Sequence, residues 1–215
     1  MLDQLDTQQR LTVNQLKLIS AAILADTLGF FNYFLVGFVL AFIVQPWGLT
    51  YGESTIILLT SGVGAITGAL FGWAADRWGR RPIFMLTVLT FSMGSAVLAL
   101  TPERNWIFLA FFRFAVGFGV GGIYSVSLPL VQEFVPARMR GAVGGFVTVS
   151  IPVGMLLGSV VSATLALSLG WRGLFAIAIL PSLLALLIRA WVPESPQWLA
   201  SRVGPRRRAS RSPGR

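Results

Sequence analysis

A chain of 215 residues with 55% hydrophobic and only 12% charged side chains carries about half the charge of an ordinary soluble domain. Too little polar surface remains to face water, so the natural solvent is lipid. A net charge of +9 would suit a nucleic-acid partner, but the placement of the basic residues, traced below, excludes that reading.

Residues 1–17 form a polar lead that carries Asp3 and Asp6 and nothing resembling a cleavage site, so the first apolar run reads as a retained span. A bilayer core of about 30 Å needs roughly 20 apolar residues per helix. Six segments meet that length: Leu18 to Val44, Ser54 to Trp73, Ile83 to Leu100, Trp106 to Val131, Ala142 to Leu169 and Gly173 to Val192. They are too long and continuous for barrel strands. The expected fold is an all-α membrane protein of six transmembrane helices, with a transmembrane unit over 18–199 and a basic tail over 200–215. The tail holds five arginines from Gly204 to Arg215 and reads either as a patch held by anionic lipid or as an unselected end.

The connections give the orientation. With residues 1–17 on the cytoplasmic side, the inside segments carry Arg10, Lys17, Arg77, Arg80, Arg81, Arg138, Arg140 and the tail arginines. The outside segments carry only Arg104 and Arg172. This is the positive-inside asymmetry, and it places both termini in the cytoplasm. Basic charge here reports topology and no nucleic acid.

Small residues recur inside the spans. Gly64, Gly68 and Gly72 repeat every four residues, as do Gly117 with Gly121 and Gly154 with Gly158. Such spacing lets helix backbones approach closely in lipid. Asp26 and Arg113 lie deep within their apolar segments, in the hydrocarbon region, where charge is costly and faces a cavity or partner. Asp26 is the one carboxylate well inside a span, in a chain without histidine. It reads as a proton carrier, or alternatively as a structural carboxylate held by neighbouring helices. At 1.5 Å per residue, Asp26 and Arg113 differ in depth by several ångströms, so a bridge by water or solute is expected rather than contact. Asn32 and Tyr33 read as solute hydrogen-bonding groups or as packing groups between helices.

An enzyme is disfavoured. Rhomboid-type proteolysis needs a serine with a histidine base, and the chain has neither histidine nor cysteine. The same absence leaves no imidazole or thiolate ligands for a metal, and no cofactor is expected.

The sharpest local pattern is Gly72-Trp-Ala-Ala-Asp76-Arg77-Trp-Gly79-Arg80-Arg81-Pro82, between the second and third spans. It resembles the signature Gly-x3-Asp-Arg-x-Gly-Arg-Arg of the major facilitator superfamily, matched at every fixed position. Three further segments resemble that family. Arg113 is followed by Gly117, Gly119, Gly121 and Gly122; Glu133 precedes Arg140-Gly141 in a Glu-x6-Arg pattern; and Pro193-Glu194-Ser195-Pro196-Gln197-Trp198-Leu199 closes the sixth span, with Gln197 where the family has Arg. The first-span stretch from Gly29 to Gly37 is similar to the Asp-Gly-Phe-Asp region of metabolite porters, with Gly29 and Asn32 at the two acidic positions.

The resemblance implies the N-terminal half of a twelve-span facilitator, itself built of 3+3 inverted repeats. It implies transport of a small solute, an organic acid or sugar, with protons, in a bacterial inner membrane. Gly72, Asp76, Arg77, Gly79, Arg80, Arg81, Glu133, Arg140 and Glu194 would belong to a cytoplasmic gate. Two readings of the six-span length stay open: a remnant without activity of its own, or a half that works with a second half or a second copy.

Overall fold

The computed structural model describes residues 11–180. Expectations for most of the sixth span, for Glu194 and its motif, and for the basic tail lie outside the described residues.

Helix α1 is Val13–Trp47, opened by a reciprocal capping box between Thr12 and Gln15 and closed at Gly48 with φ 65°. Its 35 residues run well beyond the apolar stretch, because the helix start is set by capping groups in water and the apolar run marks only the part in lipid. Helix α2, Tyr51–Gly68, starts from a second capping box between Thr50 and Glu53. A short break at Ala69 leads into α3, Leu70–Trp78, so the second span is two helical pieces instead of one. Helix α4 is Arg80–Ala99, and α5 is Trp106–Phe134, capped by Asn105 and carrying Pro129.

A turn of 3-10 helix, Ala137–Met139, precedes α6, Arg140–Ile177. Gly170 interrupts α6 with φ 65° and ψ 178°. The expected turn at 170–172 is thus one glycine at positive φ, and the residues after it begin the sixth segment. Among the described residues, five helical stretches are long and apolar enough to cross a membrane, and secondary structure is entirely helical.

Helix α5 packs most extensively on α2 and next on α4, while α6 lies along α1. The α2–α5 contact is backbone on backbone. A Cβ added at Gly64 would strike the Phe114 carbonyl, one at Gly68 the Phe118 carbonyl, one at Gly117 the Ser61 carbonyl and one at Gly121 the Ala65 carbonyl. The glycines therefore interlock from both sides over two turns, which is how helices gain dispersion contact where lipid removes the hydrophobic drive. The α1–α6 pair repeats the arrangement. A Cβ at Gly154 would lie 2.6 Å from the Thr27 carbonyl and 2.7 Å from the Phe31 amide, just as Gly64 meets the Phe114 carbonyl and the Phe118 amide. Between these pairs, Leu35, Val39, Phe84, Val88, Phe91, Val116, Val120 and Ile123 form the buried apolar centre.

Candidate functional site

Polar side chains gather at one end of the bundle and at two levels within it. At the end, α3 passes into α4 through Gly79, whose φ of 109° belongs to the region glycine tolerates and other residues avoid. The tight passage sets Arg80 one turn after Asp76. Arg80 Nη2 lies 3.1 Å from Asp76 Oδ1, and its Nε lies 2.7 Å from Glu133 Oε1 on α5. One guanidinium thus spans an exposed and a buried acid, with side chains 68% and 11% accessible. Arg77 lies over the Trp73 ring at 5.8 Å, and Arg140 Nε donates to the Val135 carbonyl at 3.2 Å. Of the Glu-x6-Arg pattern, Glu133 thus meets the motif arginine Arg80, while Arg140 is held by the main chain. A Cβ at Gly72 would come 3.6 Å from Ser125 Cβ, an ordinary contact, so this glycine faces α5 without the close backbone approach of Gly64 and Gly68. Arg81 starts α4 half-buried. Gln15 closes the same end by donating to the Phe134 carbonyl at 2.6 Å.

Inside the bundle, Asp26 on α1 is fully buried. Ser127 on α5 places its hydroxyl 3.0 and 2.9 Å from the two carboxyl oxygens. Among the described residues no cation reaches Asp26.

Arg113 on α5 is likewise fully buried, with a different set of partners. Its Nε donates to Ser61 Oγ at 2.9 Å, Nη1 to the Asn32 carbonyl at 3.3 Å and Nη2 to the Tyr33 carbonyl at 2.8 Å. The guanidinium carbon stands 6.0 Å from the Tyr33 ring. The Asn32 side chain turns to α4, where Ser95 Oγ donates to Asn32 Oδ1 at 2.5 Å. The Asn32 amide nitrogen, buried, has no partner among the described residues. Tyr33 and Ser61 also line a cavity of about 240 Å³ between α1 and α2, and Tyr33 lines a second, of about 350 Å³, with Tyr124 and Ser125.

Asp26 and Arg113 therefore do not touch, while Asn32, Tyr33 and Arg113 form one cluster. Ser61, Ser95 and Ser127 complete the two buried levels, and sequence reasoning missed all three. A lone serine in an apolar helix carries no periodic signal; only its position opposite a buried charge or amide gives it meaning.

Comparison with known proteins places these features. The family described as sugar (and other) transporter matches residues 17–214. The chain is 35% identical over 169 residues to a niacin transporter of Acinetobacter baylyi, covering 78% of this chain and 38% of that protein. It is 37% identical over 141 residues to the cis,cis-muconate transport protein of the same organism, covering 66% and 34%. With a sialic acid transporter of Escherichia coli it shares 30% over 186 residues, covering 86% and 45%. Among solved structures, the proton:xylose symporter XylE of Escherichia coli superimposes with a TM-score of 0.76 at 26% identity, over 87% of this chain and 46% of that one. The chain spans less than half the length of each of these relatives. With its family signature in place and its helices matched, the chain belongs to the sugar (and other) transporter family of the major facilitator superfamily, multi-pass membrane transporters and not enzymes.

Proposed function

We propose that the chain forms the N-terminal half of a proton-coupled symporter for a small organic acid or sugar, in a bacterial inner membrane with both termini in the cytoplasm. Residues 18–199 make the transmembrane half, and 200–215 a basic cytoplasmic tail. A second six-helix unit, from further chain or from a second copy, closes the solute path. Asp26 carries the proton, and the Asp76–Arg80–Glu133 cluster acts as the cytoplasmic clasp that opens and closes with the rocking of the halves.

The observation that carries this reading is the pairing of Asp26 with Ser127. A hydroxyl donates to an ionised carboxylate and accepts from a protonated one. The same pair therefore satisfies both states of Asp26 without a competing cation. The names of the relatives, for niacin, muconate, sialic acid and xylose, support a solute of this size and polarity.

The test is uptake of labelled solutes into proteoliposomes under an imposed proton gradient. Accumulation is expected when the chain is present with its second half, and Asp26→Asn is expected to abolish proton-driven accumulation. Accumulation that survives Asp26→Asn removes Asp26 from the coupling role. No uptake above empty vesicles by the chain alone excludes a self-sufficient pair of copies.

A further inference from the structure

We infer that the cluster around Arg113 is an anion site that takes the carboxylate of an organic acid. The inference rests on the transport reading above and names the solute class that reading leaves open.

Every acceptor that Arg113 has among the described residues is neutral. Two are main-chain carbonyls of Asn32 and Tyr33, and the third is the Ser61 hydroxyl. A guanidinium offers five N–H donors, so these three bonds leave donors unused. A cation enclosed in an apolar bundle without a counter-ion is poorly compensated, and Asp26, the other fully buried charge among the described residues, is engaged with Ser127. The second observation is the buried Asn32 amide nitrogen, a donor without a partner among the described residues. Positive charge, spare guanidinium N–H groups and a spare amide N–H are what a carboxylate satisfies, and what a neutral sugar hydroxyl, itself a donor, satisfies only in part.

Access follows from the walls. Ser61 and Tyr33 both bind the guanidinium and both line the 240 Å³ cavity between α1 and α2. They are the partition between Arg113 and the open space. Ser61 Oγ holds the acceptor position at Nε that one carboxylate oxygen would take, so entry of the acid requires this hydroxyl to turn aside. The remaining lining, Phe34, Val36, Gly37 and Leu58, is apolar, suited to the ring or chain behind the acid group.

The experiment uses the full chain purified in detergent at neutral pH, with melting temperature as the readout. Sodium benzoate is expected to raise it, and benzamide, its neutral analogue, is expected to leave it unchanged. Sodium chloride at the same concentration tests an inorganic source: a rise equal to that with benzoate overturns the assignment to an organic carboxylate. Arg113→Lys keeps the charge but loses the fork, and weakens the benzoate response by roughly tenfold or more, the size of a lost charge-assisted hydrogen bond. The decisive variant is Asn32→Asp, which adds an acid of the chain's own beside Arg113. It is expected to fold at least as stably as the parent and to lose the benzoate response. A benzoate response that persists in Asn32→Asp, or one shared with benzamide, or none at all, overturns the inference. Because no gradient is involved, the result is independent of the proton-coupling test. A chain that supports uptake of xylose yet ignores benzoate would lose this inference and keep the transport reading.

Discussion

Asp26 and Arg113 occupy matching positions in the two inverted parts of the bundle. Asp26 immediately precedes Thr27, whose carbonyl lies under Gly154, and Arg113 immediately precedes Phe114, whose carbonyl lies under Gly64. Mates of an inverted repeat stand on opposite sides of an axis in the membrane plane. The two opposite charges accordingly have separate partners, Ser127 for one and Ser61, Asn32 and Tyr33 for the other.

Ser127 is the group that makes the buried carboxyl of Asp26 tolerable. Ser127→Ala is expected to lower stability by about 1–3 kcal/mol, the cost of a buried acceptor left unsatisfied, while Ser127→Thr keeps the hydroxyl and most of the stability. Thermal melting of the two variants in detergent checks this, and equal melting temperatures would remove the role given to Ser127.

The clasp is unequal by construction. Glu133 is largely buried and 2.7 Å from Arg80, whereas Asp76 is mostly exposed and 3.1 Å away. Asp76→Asn should cost no more than about 1 kcal/mol, as for surface ion pairs. Glu133→Gln should cost about 3 kcal/mol, because it leaves a mostly enclosed guanidinium without its nearer acid. Denaturation of the two variants at low and high salt separates them: salt should erode the Asp76 contribution and spare that of Glu133.

The glycine interfaces predict a graded series. Gly117→Ala drives a methyl into the Ser61 carbonyl and should destabilise by about 1–3 kcal/mol, the range for overpacking. Gly158→Ala meets Phe31 O at 3.4 Å, and should stay within about 0.5 kcal/mol of the parent. Melting temperature and yield of folded protein read the difference directly.

Orientation is open to a clean chemical test, because the chain contains no cysteine. Arg138→Cys should react with an impermeant thiol reagent only from the cytoplasmic face, and Glu103→Cys only from the outer face. Reversed labelling would invert the proposed topology.

The first five spans and the motif were legible because both are written in residue type: long apolar runs, and glycines and arginines at set spacing. Helix ends were less so, since Thr12 with Gln15 starts α1 ahead of its apolar run. Partners across helices were not legible. That Arg80 pairs with Glu133, that Ser127 and Ser61 hold the two buried charges and that Ser95 holds Asn32 depends on which faces meet. That is decided by how closely the glycines let α2, α5, α1 and α6 approach.

The same glycines also grade the freedom of α6. Its contact with α1 is tightest at Gly154 and relaxes to 3.4 Å or more at Gly158. A methyl therefore fits at Gly158 and not at Gly154, so the close approach of α6 to α1 hangs on one small residue, a single turn before a position with room for a larger one.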